Sequence, residues 1–210
     1  MACAICEVRR PRRYCPGVRG EICTVCCGTE REVSVDCPFE CPYLQEARRH
    51  ERVEPMDPAT LPNRDIRVSE SFLRDNEPLV VFTADRLLRA AFETPGAIDS
   101  DLREALESLI RTYRTQESGL YYESRPANLV AGRIYALLQQ ALAEYRENER
   151  RELGMTKTRD ADVLGVLAFM QRLEMSHHNG RRRGRAFMDY LRGYFQPAGA
   201  APAASPLIVP

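Results

Sequence analysis

Residues 3–41 read CAICEVRRPRRYCPGVRGEICTVCCGTEREVSVDCPFEC and contain all eight cysteines of a 210-residue chain. The chain opens without the apolar segment of a secretory signal, so we expect a reducing, cytoplasmic compartment. Clustered thiols in that compartment are more often metal ligands than disulfides. The stretch therefore predicts a zinc-binding module, with disulfides, an iron–sulfur cluster or a redox dithiol as the alternatives.

The spacing of the cysteines indicates two metal ions. Cys3 and Cys6 form one Cys-x-x-Cys turn, and Cys23 and Cys26 form another, a pattern typical of a structural zinc site with four thiolate ligands. A second site would use the remaining four cysteines, which are Cys15, Cys27, Cys37 and Cys41. The alternative partition is a cross-brace with Cys3, Cys6, Cys26 and Cys27 on one ion and Cys15, Cys23, Cys37 and Cys41 on the other. His50 is an alternative ligand, although eight thiolates already complete two tetrahedra.

These motifs resemble known two-zinc modules. CAIC, YCP, ICTVCC and DCPFEC, followed by a helical segment that ends in a His, are similar to the HIT-type and MYND-type zinc fingers over residues 1–50. The middle ligands are spaced differently from those families, and the last ligands are Cys where those families often use His. The resemblance implies an interaction module rather than a catalyst. The chain also resembles an uncharacterised bacterial family through ICxxCCGTxRE and CPxxCxYL, which implies no function.

The whole sequence predicts a mainly α protein in four parts. Residues 1–54 form the two-zinc module, and three prolines make residues 55–64 a stiff linker. Residues 65–196 have apolar side chains at helical spacing, which predicts an all-α bundle of about five helices. Residues 197–210 are rich in Pro and Ala and carry no charge, so we expect a disordered tail.

Capping and helix-breaking residues predict where the helices begin. Prolines suit the first turn of a helix, and Asp, Ser and Asn accept hydrogen bonds from its free N–H groups. The expected starts are Pro42, Ser124 to Pro126 and Asp160, and Asp99 or Ser100 is expected to cap a further helix that carries Leu102 to Tyr113. The last helix is expected to carry the apolar residues from Ala186 to Phe195. An earlier apolar stripe, from Leu79 to Phe92, predicts one further helix.

Composition and motifs exclude several functions. Thirty basic and thirty acidic residues give no net charge, which removes the whole-protein argument for nucleic acid or an anionic membrane. Thr156 stands before Lys157 where a phosphate loop needs Gly. Glu174 and His177 have the ExxH spacing of a di-iron bundle, but a second ExxH is lacking. We therefore predict no catalytic residue, no enzyme activity and no membrane span.

Two surface patches are candidates for binding. Four arginines within five residues would grip the phosphates of a polyanion, namely Arg181, Arg182, Arg183 and Arg185. The alternative is a solvated turn whose arginines pair with an acidic stretch such as residues 144–152. Tyr121, Tyr122 and Arg125 lie between two helices, where they would line an interface or, as the alternative, seal the end of the bundle.

Together these features predict a zinc-binding, non-catalytic interaction, scaffold or regulatory protein of the cytoplasm that holds two zinc ions. A protein partner is expected, but nothing in the sequence identifies it. The alternative function is a nucleic-acid-associated regulator that uses the arginine cluster at residues 181–185.

Overall fold

A computed structural model of the chain describes residues 2–51 and 60–195. Within these ranges the regular structure consists of eight helices and one two-stranded sheet. The predicted mainly α architecture, with a Cys-rich part ahead of a helical part, is confirmed. Residues 55–59 of the predicted linker and the predicted tail, residues 197–210, lie outside the described residues. None of the described helices is long and apolar enough to cross a bilayer.

The Cys-rich module, residues 2–51, consists of a hairpin and two short helices. Its elements are β1 (Arg13–Cys15), β2 (Gly20–Ile22), α1 (Thr24–Glu30) and α2 (Pro42–His50). The two strands pair antiparallel, with Tyr14 opposite Glu21. Helix α2 begins at the predicted proline and ends in a basic run, which suits the negative end of the helix dipole. Cysteines make up most of the module's buried core, so few apolar side chains are available to stabilise it.

The helical region, residues 60–195, is a bundle of five longer helices and one short one. These are α3 (Glu70–Asp75), α4 (Glu77–Phe92), α5 (Asp99–Glu117), α6 (Leu129–Leu153), α7 (Asp160–His177) and α8 (Ala186–Phe195). Helices α4 and α5 each pack against α6, α7 and α8. Helix α7 is buried along most of its length because neighbours cover it on several sides.

One predicted helix start and one predicted helix cap differ from the structure. Helix α6 begins at Leu129 rather than between Ser124 and Pro126, because the Asn128 side chain accepts a hydrogen bond from the N–H of Val130 at 2.8 Å and caps the helix there. Helix α5 begins at Asp99, so neither Asp99 nor Ser100 is its cap.

Asp99 instead caps a different helix. Its carboxylate accepts hydrogen bonds from the N–H groups of Phe187 at 2.9 Å and Met188 at 3.2 Å, which lie in the first turn of α8. Burial raises the pKa of Asp99 to about 7, although these two N–H donors act in the opposite direction. The start of α5 thereby fixes the start of α8 and the loop before it.

Candidate metal centre

Four cysteines are brought together by the N-terminal turn, the end of the hairpin and the first turn of α1. The sulfur atoms of Cys3, Cys6, Cys23 and Cys26 all lie within 4.8 Å of one another. Among residues 2–51 and 60–195, no other group of three or more Cys, His, Asp or Glu meets this spacing. Four thiolates so arranged are the donor set of a closed tetrahedral zinc site. Cys27, which the cross-brace would include, lies outside this group.

Backbone N–H groups point at these sulfurs. The N–H of Cys23 donates to the sulfur of Cys3 at 3.2 Å, and the N–H of Cys26 donates to the sulfur of Cys23 at 3.4 Å. The second bond also caps α1, because Cys23 is its N-cap residue. Such donors favour the thiolate form and fix the orientation of the ligands.

The thiols in this group differ in pKa. Burial alone would raise the pKa of Cys3, but three backbone N–H groups and the thiol of Cys6 lower it to about 6. Two backbone N–H groups lower the pKa of Cys6. Burial raises the pKa of Cys26 to about 12. The backbone donors therefore favour the thiolate forms of Cys3 and Cys6, and the buried thiol of Cys26 loses its proton most readily when a cation takes the proton's place.

The other four cysteines surround a small cavity. They are Cys15, Cys27, Cys37 and Cys41. The cavity measures about 10 Å³, the space of one water molecule, and its walls are completed by apolar side chains such as Ile22 and Leu44. This set is more open than the first, because its sulfurs do not all lie within 4.8 Å of one another.

Arginines lie beside both cysteine sets. The Arg9 side chain donates a hydrogen bond to Cys23, and this thiol raises the pKa of Arg9. Arg13 donates to the sulfur of Cys27 at 3.5 Å, and Arg31 lies 3.9 Å from the same sulfur. A zinc ion on four thiolates keeps an excess of negative charge, which these guanidinium groups would offset.

The remaining predicted metal-ligand candidates have other partners. His50 lies on the surface of α2 and pairs with Glu46 at 3.0 Å. Glu174 is fully buried and accepts two hydrogen bonds from Arg103, at 2.7 and 2.8 Å. The ring of His177 stacks on Tyr190. The ExxH pair therefore packs within the bundle instead of binding a metal.

The arginine loop, residues 181–185, faces the Cys-rich module. Three of its arginines bind there. The Arg181 side chain donates to the carbonyl of Arg31 at 2.5 Å, and the backbone N–H of Arg183 donates to the carbonyl of Glu32 at 2.8 Å. The Arg185 side chain donates to the carboxylate of Asp36 and to the carbonyl of Cys37. The predicted pairing with residues 144–152 is wrong. Acidic residues of that stretch have nearer partners, since Glu147 pairs with two arginines of its own helix.

Glu32 is the central residue of this contact. Its side chain is fully buried and accepts hydrogen bonds from Arg48 at 2.7 Å, from Asn179 at 2.8 Å and from the N–H of Arg185 at 3.0 Å. Its backbone has a φ of 51°, a left-handed conformation that is uncommon outside glycine. Sequence reasoning missed Glu32, because one Glu in a charged loop belongs to no motif or periodic pattern.

Phe39 inserts from the module into the edge of the helical core. Its ring centre lies 5.4 Å from that of Phe92. The guanidinium carbons of Arg192, Arg185 and Arg48 lie 4.8, 4.9 and 5.7 Å from the Phe39 ring centre. Cations at these distances are attracted to the face of an aromatic ring. Phe39 therefore joins both regions to the same group of arginines.

The segment between α5 and α6 is exposed. Tyr121 is 91% exposed and Tyr122 is 68% exposed, and the neighbouring Leu120 is exposed as well. The alternative that these tyrosines seal the bundle end is wrong, because both rings face solvent. Arg125 pairs with Glu123 at 2.8 Å instead of with a ring.

Comparisons of the chain with protein-family models, with curated proteins and with solved structures give no match. The two cysteine sets and the surfaces around them are therefore the features that indicate a function.

Proposed function

We propose that the protein is a non-catalytic zinc protein of the cytoplasm that serves in protein–protein interaction or as a scaffold, and that two zinc ions hold its Cys-rich module together. The observation that carries this proposal is the group formed by Cys3, Cys6, Cys23 and Cys26. Thiolates select zinc over magnesium and calcium, which prefer oxygen ligands. All eight cysteines lie in the described ranges as free thiols, which supports metal binding in a reducing compartment.

The second ion would occupy the cavity lined by Cys15, Cys27, Cys37 and Cys41. Binding would draw these sulfurs to tetrahedral spacing around a point that they already surround. Arg13 and Arg31 lie beside Cys27, where they would offset the charge of the loaded site. We therefore propose that each ion is bound by one of the two cysteine sets, the first ion by the set with Cys3 and the second by the set with Cys15.

A structural role follows from the ligands. Catalytic zinc keeps one coordination position open for water or substrate, whereas four thiolates fill the tetrahedron. With four thiolates on each ion, neither cysteine set would leave such a position, and Glu174 and His177 are engaged in packing. We therefore assign the metal to folding rather than to chemistry.

Cobalt substitution tests this assignment. Protein loaded with Co²⁺ should show the intense visible absorption of tetrahedral cobalt and the ultraviolet charge-transfer bands of thiolate ligands. Because no position is open, the spectrum should stay unchanged when azide or cyanide is added at concentrations that do not extract the metal. A shift of the visible bands with added azide would contradict a closed structural site and would reopen a catalytic role.

Exposed apolar side chains support an interaction role. The module exposes Val8 and Tyr14, and the helical region exposes Leu120, Tyr121 and Tyr122. Contiguous exposed apolar groups often mark protein-binding surfaces. The resemblance of residues 1–50 to HIT-type and MYND-type fingers adds support, because those families are interaction modules.

A site-specific cross-linker tests the interaction role. A photoreactive phenylalanine in place of Tyr121 should give one discrete cross-linked product in the native host, because a partner would cover this ring. The same residue in place of the exposed Glu152 on α6 serves as the matched control and should give no such product. Equal labelling from both positions would contradict a partner surface at the exposed tyrosines.

A further inference from the structure

An acidic loop of the module, residues 32–40, holds the arginine loop in place. Glu32 and Asp36 bind the arginine loop, and Glu40 pairs with Arg192 at 3.2 Å. Asp36 also lies 3.6 Å from Arg183. The acidic loop thus presents two carboxylates, Asp36 and Glu40, to guanidinium groups of the helical region, as a polyanion would, while Glu32 accepts from the backbone N–H of Arg185.

The second cysteine set brackets this acidic loop. Cys27 precedes the loop, Cys37 lies inside it and Cys41 follows it. Glu32 and Asp36 fall between Cys27 and Cys37, and Glu40 falls between Cys37 and Cys41. One ion bound by these cysteines would therefore fix both segments that carry the carboxylates.

The arginine side of the contact is strongly basic without its partner. Residues 178–195 contain five arginines, two of which are Arg182 and Arg192, and one carboxylate, Asp189. Arg182 is exposed and has no ion-pair partner among the described residues. Loss of the acidic loop would leave the other arginines with Asp189 alone to balance them.

We propose that the arginine loop and Arg192 form a binding surface for the phosphate backbone of nucleic acid, and that the acidic loop covers this surface while the second cysteine set holds its metal. This inference rests on the second zinc ion of the proposed function. Several arginines close together suit a polymer that repeats its charge, because each guanidinium contacts one phosphate. Arg182 provides a first contact that is accessible both with and without the metal of the second cysteine set.

Metal loss uncovers the surface because, apart from the contacts of Glu32 and the packing of Phe39, the acidic loop has few interactions of its own. Glu32 has a left-handed backbone, and the loop contributes few apolar side chains besides Val35 and Phe39 to either core. Without the ion, the segment between Cys27 and Cys37 gains conformational freedom, which opposes the ordered contacts of its carboxylates. The arginines then exchange these carboxylates for phosphates.

The coupling must act in both directions. If metal loss tightens nucleic-acid binding by a given factor, nucleic acid must weaken the affinity for the second ion by the same factor. A competing chelator should therefore extract the second ion at a lower concentration when oligo(dT) is present. Extraction of the first ion, held by Cys3, Cys6, Cys23 and Cys26, should not change.

The experiment measures the binding of labelled oligo(dT) to the full-length chain by fluorescence anisotropy. Cys41→Ser removes one ligand of the second set, and Glu32→Gln with Asp36→Asn removes the two carboxylates that contact the arginine loop while leaving every cysteine in place. Each variant should bind at least tenfold more tightly than the zinc-loaded protein. Native mass spectrometry of the same samples gives the number of ions, and circular dichroism confirms that the helices remain folded.

Arginine substitutions in the Cys41→Ser background identify the surface. Replacing Arg181, Arg183 and Arg185 with Gln should abolish the gain in affinity and reduce the slope of log affinity against log salt by about 2 units on single-stranded DNA. Arg182→Gln is the matched control. It should weaken binding by a similar factor with and without the second ion, because Arg182 is exposed in both states.

Each result has a separate meaning. If Cys41→Ser loses one ion and neither variant binds oligo(dT) more tightly, the covered surface is refuted while the second zinc site stands. If the wild-type protein and Cys41→Ser carry equal numbers of ions, the second zinc site fails. The Glu32→Gln, Asp36→Asn variant then decides the remaining question, because unchanged affinity in that variant overturns the covered surface as well.

Discussion

Removing the metal should unfold the Cys-rich module, and we expect this to be the largest single effect on the protein. Most of the buried residues in the module's core are cysteines. Structural zinc contributes about 10–16 kcal/mol of apparent binding free energy in zinc-finger peptides. That contribution exceeds what the few apolar side chains of the module can supply. Chelation should therefore turn residues 2–51 into a readily cleaved segment.

Limited proteolysis followed by mass spectrometry measures this effect. After chelation, cleavage sites should appear throughout residues 2–51 and in the arginine loop, which loses its contacts with Glu32 and Asp36. Helices α4 to α7 should resist cleavage, because they form most of the helical core. Readding zinc to the reduced protein should restore protection. A module that resists protease equally with and without chelator would contradict metal-dependent folding.

Replacing Glu32 with Ala should give the second largest effect, a loss of about 3–5 kcal/mol in the free energy of unfolding of the zinc-loaded protein. The change leaves the buried Arg48 without one of its two carboxylate partners and leaves Asn179 and the N–H of Arg185 without an acceptor. Removing one partner of a buried ion pair commonly costs this much. Urea denaturation followed by far-ultraviolet circular dichroism measures the loss.

Glu40→Ala is the matched control for this substitution. Glu40 lies in the same loop and also pairs with an arginine, but its side chain is 78% exposed. Exposed ion pairs contribute about 0–1 kcal/mol, so this variant should unfold close to the wild type. Equal losses from both variants would show that burial of Glu32 contributes nothing, which would contradict its central place in the contact.

Much of the fold was predictable because it follows from local signals. Pro42 and Asp160 begin helices as predicted, since proline, capping residues and apolar spacing act within a few residues of the chain. The start of α6 was misplaced because Ser124, Pro126 and Asn128 all suit a helix start, and only the packing of α6 selects among them.

The first cysteine group was predictable from spacing, but its relation to the helical region was not. Two Cys-x-x-Cys turns indicate the set that includes Cys3 and Cys26 without any knowledge of the fold, although the adjacent Cys27 left the cross-brace open as an alternative. The contact between Glu32 and the arginine loop joins residues about 150 positions apart, and no local pattern encodes such a pairing. From charge alone, several acidic segments could pair with the arginine loop, and the predicted partner, residues 144–152, was not the correct one.

The number of metal ions tests the account most directly. Native mass spectrometry of the reduced protein, expressed with zinc and kept free of chelator, should show two zinc ions per chain. Cys6→Ser and Cys41→Ser should each retain one ion, because each substitution removes a ligand from a different set. Two results would contradict two separate four-cysteine sites. The first is a wild-type protein that carries no zinc, and the second is a Cys6→Ser or Cys41→Ser variant that has lost every ion.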